Sequence, residues 1–231
     1  MNGFSQWLQQ LNFGNTVELL ITALAAMFCI TVHEVSHGYA AYRLGDPTAK
    51  MMGRLTLNPI KHMDIAGLIS MAILGFGWAK PVPVNFGNLK HYRRDTIIIT
   101  LAGPVSNILL TIVFLTVYYA LFALYVLTDL PEWMRYVLLF FGYGYQLNAA
   151  LAMFNLLPIP PLDGSKVVLA FLPEKWYWWL LRHERYGFLL LALLLVFGVL
   201  DGPLSFLRSG LLSLIDPICR WPIALISSLI G

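Results

Sequence analysis

An H-E-x-x-H motif, His33 to His37, lies inside an apolar run from Leu19 to Ala41. The run is long enough to cross a bilayer as one helix. At about 100° per residue, His33 and His37 lie one turn apart on the same face, so both imidazoles can reach one metal ion. Glu34 lies beside that face, where it can act as a general base on water without being a ligand. Ionisable side chains inside a spanning helix are costly, and their grouping here predicts a catalytic zinc site.

The composition indicates that the whole chain, and not only this apolar run, is suited to a membrane. Of its 231 residues, 58% are hydrophobic and 12% are charged, whereas a soluble domain has about 25% charged residues. The net charge of +3 carries no nucleic-acid signal. Cys29 and Cys219, far apart and both in apolar surroundings, suggest no disulfide framework. We therefore expect an all-α polytopic membrane protein, organised as a single domain over residues 1–231.

Apolar runs predict a bundle of about four to six transmembrane helices. The first ends where Gly45-Asp46-Pro47 stops a helix, and Asp95 is the expected N-cap of the second. The tail Pro203–Ile230 is interrupted by prolines and fits either a span or an interfacial segment. The catalytic core is expected over about residues 17–172 and C-terminal apolar helices over about 186–230. The expected full spans are Asn15–Leu44, Thr96–Leu127 and Trp133–Leu157, with a further apolar stretch at Tyr186–Leu200.

Three stretches are expected to lie at or near the membrane surface without spanning. Residues 1–14 carry no Lys or Arg and are expected to form an interfacial segment with Phe4 and Trp7 against the headgroups. Polar–apolar alternation over Thr48–Leu57 predicts a short strand, part of a membrane-associated β-loop. Asp64–Phe76 is apolar but too short to cross a bilayer, which predicts a re-entrant segment.

The segment Trp78–Asn85 contains Pro81 and Pro83. Their prolyl rings make it extended rather than helical. Beside a membrane active site, such a segment suits an edge strand with which a substrate backbone can pair. An ordinary surface loop is the alternative.

The placement of Lys and Arg predicts the topology. Eight of these residues lie between the end of the first full span and the start of the second, none lies before the first span, and only Arg135 lies between the second and the third. The N-terminus is therefore expected outside. At a rise of 1.5 Å per residue, His37 lies about 9 Å along the helix from Arg43, so the site is expected within the bilayer, nearer its cytoplasmic face. The cations from the end of the first span to the start of the second are Arg43, Lys50, Arg54, Lys61, Lys80, Lys90, Arg93 and Arg94.

A catalytic zinc needs a third protein ligand. Cys29, one turn before His33, offers a thiolate but is better interpreted as a small packing residue. Asp163 follows an apolar span and a proline-rich turn, and it is the strongest candidate. Its alternative role is the N-cap of a short helix over Ser165–Leu172. Solvated loop positions are the ordinary interpretation for His62, His91 and His183.

Two motifs together resemble the site-2 proteases, the intramembrane zinc metalloproteases of peptidase family M50. That family pairs H-E-x-x-H on one transmembrane helix with N-x-x-P-x-P-x-x-D-G on a later one, and here the second motif runs from Asn155 to Gly164. The stretches Gly53–Pro59, Ala79–Asn85 and Ala102–Asn107 are similar to the compact bacterial branch. The resemblance covers about Thr31–Val168, and the chain is too short for the PDZ or CBS domain that many relatives carry.

The resemblance also implies roles for individual residues. Asp163 becomes the third zinc ligand beside His33 and His37, and Asn155 becomes a polar group near the scissile peptide. A substrate-binding strand is implied around the Pro81–Asn85 stretch. The expected substrate-binding residues are Pro81, Val82, Pro83, Val84, Asn85 and Asn107.

These expectations describe an intramembrane zinc metalloprotease with one Zn²⁺ per chain, acting on single-pass membrane proteins in the inner or plasma membrane. Glu34 would take a proton from water, and Asn155 would hydrogen-bond the substrate or the developing oxyanion. A first cleavage by a site-1-type protease is a family expectation. Two alternatives stay open: a membrane protein whose zinc is structural or transported, and a catalytically inactive scaffold that binds transmembrane segments. The sequence shows one metal cluster and no internal repeat, which disfavours a transporter.

Overall fold

The computed structural model describes residues 16–67, 79–128, 131–173, 175 and 184–230. Within these ranges the regular secondary structure is helical, and no β-strand is present. The α-helices are α1 (Thr16–Arg43), α2 (Thr48–Met51), α3 (Tyr92–Leu127), α4 (Met134–Asn155), α5 (Asp163–Phe171), α6 (Glu184–Val196), α7 (Asp201–Cys219) and α8 (Trp221–Ile230).

Four of the described helical stretches are long and apolar enough to cross a membrane, which fits a multi-pass membrane protein. Three of them are α1, α3 and α4. The fourth is Asp201–Leu229, so the C-terminal tail reaches spanning length when α7 and α8 are taken together.

The N-cap prediction for Asp95 is wrong, because α3 already begins at Tyr92. The N–H of Asp95 donates to the carbonyl of His91 at 2.8 Å, as in a continuing helix. The buried carboxylate accepts the His91 N–H at 3.0 Å and pairs with Arg94 at 2.9 Å. Asp95 therefore stabilises the first turn from inside the helix instead of preceding it.

The predicted strand over Thr48–Leu57 is also wrong, because its first residues form α2. The Oδ1 atom of Asp46 accepts the N–H and the hydroxyl of Thr48 at 3.1 and 2.5 Å, which favours a turn over an extended chain. Gly53 follows with φ of +63°, in the left-handed region that glycine adopts most easily. The alternating pattern was too short to distinguish a strand from a helical turn.

Two further predictions lie outside the described residues, wholly or in large part. The interfacial segment over residues 1–14 lies wholly outside them, and the re-entrant segment over Asp64–Phe76 is described only as far as Gly67. At its start, the Asp64 side chain accepts the Gly67 N–H at 3.0 Å, as in a capped turn. Both segments stay predictions.

The described residues fall into two compact units. The motif unit carries the H-E-x-x-H motif and Asp163, and the aromatic unit carries most of the tyrosine and phenylalanine packing described below. The single domain inferred from the sequence stays a prediction. The motif unit comprises 27–67, 79–106, 155–173, 175 and 184–188, and the aromatic unit comprises 16–26, 107–128, 131–154 and 189–230.

Apolar packing holds the aromatic unit together. Its centre is the buried cluster of Leu115, Ile215 and Cys219. Nearby, the ring of Phe114 packs so closely on Gly144 that a Cβ there would overlap it. Between helices that span a membrane, close contact of this kind stabilises through van der Waals packing. The partly buried side chains around the cluster are Ile108, Ile112, Tyr118, Tyr119, Tyr145 and Leu211.

Candidate metal centre

His33, His37 and Asp163 converge within the motif unit. His33 Nε2 lies 3.0 Å from His37 Nε2, and Asp163 Oδ2 lies 3.3 and 3.0 Å from these two nitrogens. A tetrahedral zinc ion with bonds near 2.0 Å separates its ligand atoms by about 3.3 Å. The three atoms therefore outline one face of such a site. Within the described ranges, no other three His, Cys, Asp or Glu side chains come together in this way.

The start of α5 places the carboxylate. Asp163 is the first residue of that helix, and Leu162 occupies the N-cap position without a side-chain capping bond. The structure thus gives Asp163 no N-cap role. A Cβ at Gly164 would overlap the carbonyl of Leu156, so the helix start lies directly against the turn that follows α4. This close approach requires the glycine of the D-G pair.

A carbonyl group prepares His37 for a metal. Its Nδ1 lies 2.7 Å from the Ile99 carbonyl oxygen, and because a carbonyl only accepts, Nδ1 carries the proton. In the neutral ring, Nε2 then presents a lone pair towards His33 and Asp163. Lone pairs at 3.0 Å repel one another unless a cation or a proton lies between them. The three ligand atoms, and the Ile99 carbonyl that orients His37, therefore fit a zinc ion.

The charge of Asp163 supports the same conclusion. Burial raises the pKa of this carboxyl, but when the imidazoles of His33 and His37 are protonated, their hydrogen bonds and positive charge outweigh burial and hold the pKa well below its usual range. The carboxyl is therefore ionised at neutral pH. An ionised carboxylate between two imidazoles is the protonation state that zinc binding requires.

Helix α3 passes the two imidazoles at Gly103. A Cβ at this position would overlap His37 Nε2 and come within 2.6 Å of His33 Cε1. Only glycine allows the backbone to approach side chains this closely. Since Ile99, one turn earlier, supplies the carbonyl for His37, one face of α3 both orients and encloses the imidazoles.

A backbone amide holds Glu34 on α1 beside the two histidines. Its Oε2 accepts the N–H of Val82 at 2.8 Å. Pro81 and Pro83 flank Val82 and have no N–H, so this amide is the single backbone donor of the three residues. A carboxylate held by a backbone N–H has a fixed orientation.

Val82 belongs to the Lys80–Asn88 segment, and Arg54 fastens the start of this segment. The guanidinium donates to the carbonyl oxygen of Lys80 at 2.7 Å and to that of Pro81 at 3.4 Å. Residues 79–85 form no regular structure, so the predicted edge strand is not confirmed. Side-chain contacts, and not a sheet, set the path of the segment.

Asp46 fastens the end of the same segment. Its fully buried carboxylate accepts the N–H of Asn85 and the side-chain amide of Asn88, both at 2.7 Å. Burial raises the pKa of Asp46, but these bonds and those from Thr48 outweigh burial, so the pKa lies below its usual value. The ionised carboxylate is a fixed anchor on the loop that follows α1.

The remaining residues singled out from the sequence lie at several places. Val82 is buried, whereas Pro81 and Asn85 are exposed. Asn155 is the half-buried last residue of α4 and belongs to the motif unit. Asn107 is fully buried in α3 and belongs to the aromatic unit.

Three contributors to this site were not predicted from the sequence. Gly103 stands before a proline in an apolar run, and a glycine in that setting is a signal of close helix approach. Ile99 contributes only a carbonyl oxygen, which no side-chain pattern reveals. Asp46 was interpreted as a helix stop, and its buried, multiply bonded carboxylate depends on residues about forty positions later.

Comparison with known proteins agrees with this geometry. Residues 129–177, which include the second motif, match the family model described as Peptidase family M50. The chain is 41% identical over 180 residues to "Putative zinc metalloprotease YwhC" of Bacillus subtilis (strain 168), covering 77% of this chain and 80% of the relative. It is 28% identical over 202 residues to "Putative zinc metalloprotease Rip2" of Mycolicibacterium smegmatis, covering 84% and 73%. No solved structure matches the chain. The matches confirm the resemblance inferred from the motifs and the expected zinc metalloprotease.

Proposed function

Because the chain belongs to peptidase family M50, we propose that it is an intramembrane zinc metalloprotease, which hydrolyses peptide bonds in or near transmembrane segments of membrane proteins. One observation carries the proposal. His33, His37 and Asp163 converge beside Glu34, and three of these four residues lie on a helix of spanning length. Most of the proposed reaction centre therefore lies on one hydrophobic span.

The chain's own groups divide the work of hydrolysis. His33, His37 and Asp163 would hold one zinc ion per chain, which when bound lowers the pKa of water towards about 7 and polarises a peptide carbonyl. Glu34 accepts a proton as the water oxygen bonds to the carbonyl carbon. It then delivers a proton to the amine nitrogen as the C–N bond breaks. Asn155 donates a hydrogen bond to the substrate or to the developing oxyanion, and such donors are worth ~10²–10³ in rate.

A transmembrane substrate must unwind before it can react, because a helix engages the scissile peptide in its own hydrogen bonds. The freed backbone groups need partners in an apolar setting. We assign this role to Pro81–Asn85. Val82 and Asn85 already donate their N–H groups within the protein, so pairing with a substrate would use other groups of the segment, its carbonyl oxygens among them.

The cellular arrangement follows from charge. We place the N-terminus outside and the loop between α1 and α3 on the cytoplasmic side of the inner or plasma membrane, because the cations concentrate in that loop. The substrates are then single-pass membrane proteins cut near their cytoplasmic end. A preceding cut by a site-1-type protease would shorten the outer part of such a substrate.

The test uses purified protein in detergent with a model transmembrane substrate. We expect Glu34→Gln to lose cleavage while retaining about one zinc per chain, because a glutamine oxygen still accepts the Val82 N–H but the side chain takes no proton. Glu132→Gln is the matched control, at an exposed glutamate between α3 and α4, and should cleave like wild type. A Glu34→Gln protein that still cleaves would overturn the general-base role. Wild-type protein with zinc but no cleavage of a panel of transmembrane peptides would favour a structural zinc or a scaffold.

A further inference from the structure

Arg54 is a buried cation whose contacts are unusual. Arg54 is only 7% exposed. Within the described ranges it forms no ion pair with a carboxylate. Its guanidinium instead donates to the carbonyl oxygens of Lys80 and Pro81. Burying a charge is costly without an opposite charge. A buried guanidinium directed at two consecutive backbone carbonyls indicates that the position of those two residues matters.

Hydrogen bonds also fix the loop that carries Arg54. His62 is 2% exposed, and its Nε2 lies 2.9 Å from the carbonyl oxygen of Thr56. The carbonyl of His62 in turn accepts the N–H of Lys80 at 2.9 Å. Lys80 is therefore fixed through both its N–H and its carbonyl by one loop, which spans part of the Gly53–Pro59 stretch noted in the sequence.

This loop and the Lys80–Asn88 segment lie directly on the helix that carries the histidines. A Cβ at Gly38, the residue after His37, would come within 2.7 Å of both Leu55 Cδ2 and Val82 Cγ1. Leu55 follows Arg54, so the buried guanidinium belongs to the layer that packs on α1 at the metal centre. A displacement of this layer would therefore change the packing on α1 at the residue after His37.

We propose that Arg54 is a positioning residue for the hydrolysis: it holds Lys80 and Pro81 so that the N–H of Val82 stays on Glu34. The inference rests on the proposed function and extends it to a residue outside the two metal motifs. Arg54 touches neither the histidines nor Asp163 among the contacts described above, so its loss should leave zinc in place. What it should change is the orientation of Glu34, because Val82 is the single backbone donor between two prolines.

The experiment compares Arg54→Met with wild type in the full-length protein. Methionine fills a similar volume without donors. We expect zinc near one per chain, KM within about twofold, and kcat lower by about 10- to 100-fold, since small misplacements of a catalytic group have effects of that size. Lys61→Met is the matched control, because it removes an exposed cation from the same loop, and it should retain wild-type kcat.

A second readout does not depend on activity. Hydrogen exchange of the Pro81–Pro83 stretch reports Val82 alone, since the prolines carry no amide hydrogen. We expect Val82 to be protected in wild type and in Lys61→Met, and to exchange at least tenfold faster in Arg54→Met. Arg54→Lys, with one donor group instead of a fork, should give intermediate exchange and intermediate kcat. It serves as the test variant if Arg54→Met does not accumulate as folded protein.

The outcomes separate this inference from the function on which it rests. Unchanged Val82 exchange in the Arg54 variants overturns the anchoring, and faster exchange with wild-type kcat overturns the catalytic importance of the anchor. A fall in zinc content in step with kcat would overturn positioning in favour of a structural role. Wild-type protein that cleaves no transmembrane peptide contradicts the proposed function, and the exchange measurement then still decides whether Arg54 fixes Val82.

Discussion

Both units of the molecule use a glycine for close packing, but towards different neighbours. In the motif unit, Gly103 brings the backbone of α3 against the imidazoles of His33 and His37. In the aromatic unit, Gly144 receives the ring of Phe114. The absence of a side chain is needed in both places. In the motif unit the missing side chain leaves room for groups that can bind a metal. In the aromatic unit it leaves room for an apolar ring.

The two units also differ in how far apart along the chain their hydrogen-bonded partners lie. In the motif unit they join distant parts of the chain, such as Glu34 with Val82 and Asp46 with Asn85. In the aromatic unit several buried polar groups bond one turn back on their own helix, as Asn148 does with the Gly144 carbonyl. Local bonds of that kind satisfy a helix without fixing its neighbours. The comparison teaches that substitutions in the motif unit should change function, and that matched ones in the aromatic unit should change only stability.

The largest contrast is expected between two aspartates. Asp163→Asn should lose most of its zinc and its cleavage, because an amide is a much weaker ligand than a carboxylate between two imidazoles. Asp216→Asn is the counterpart in the aromatic unit, where the carboxylate accepts from Tyr119 and pairs with Arg220. It should retain about one zinc per chain and cleave like wild type. Metal analysis and a cleavage assay of both variants test this contrast. Equal zinc content in the two variants would show that Asp163 is not a zinc ligand.

The next contrast is between the two glycines. Gly103→Ala should lower zinc affinity and reduce cleavage by about 10²-fold, since the added methyl must displace imidazoles that hydrogen bonds and packing hold in place. Gly144→Ala should cost about 1–3 kcal/mol of stability by overpacking against Phe114. Zinc per folded chain and kcat should stay unchanged in that variant. Thermal unfolding and zinc titration of both proteins test this, and a Gly103→Ala protein with normal zinc affinity would contradict the close approach described above.

The smallest effect concerns acid. Because the folded-state pKa of Asp46 lies below its usual value, its contribution to stability is complete above the unfolded pKa of about 3.9. It is lost as the pH falls towards the lower folded-state pKa. The difference in Tm between wild type and Asp46→Asn should therefore be constant from about pH 7 to pH 5 and shrink below about pH 4. A difference that grows on acidification would contradict the ionised anchor.

The sequence predicted what depends on local periodicity. Two histidines four residues apart on a helix share a face whatever surrounds them, so the geometry of His33 and His37 followed from the motif. The long apolar runs predicted α1, α3 and α4 to within a few residues at most ends. The prediction of a strand over Thr48–Leu57 was wrong because a few alternating residues are a weak signal. The hydrogen bonds from Thr48 to the Asp46 side chain, which favour a turn, decide the local structure instead.

What depends on chain folding over long distances could not be derived from pattern alone. Asp163 lies 126 residues after His37. The residues alone made it the strongest candidate ligand but left an N-cap role open, and the family resemblance then implied the ligand role. The prolines predicted an extended backbone around Val82, but not that the intervening N–H turns inward to Glu34. The role of Arg54 had no sequence signal at all, because its partners are backbone carbonyls, which every residue has.

The central claim is that two imidazoles and one carboxylate hold a catalytic zinc ion. X-ray absorption at the zinc edge of the purified wild-type protein, together with zinc analysis, tests it most directly. We predict about one zinc per chain with nitrogen and oxygen neighbours only, at about 2.0–2.1 Å. A sulfur neighbour at about 2.3 Å, which Cys29 would supply one turn before His33, would contradict the ligand set. Protein that binds no zinc would contradict the account as a whole.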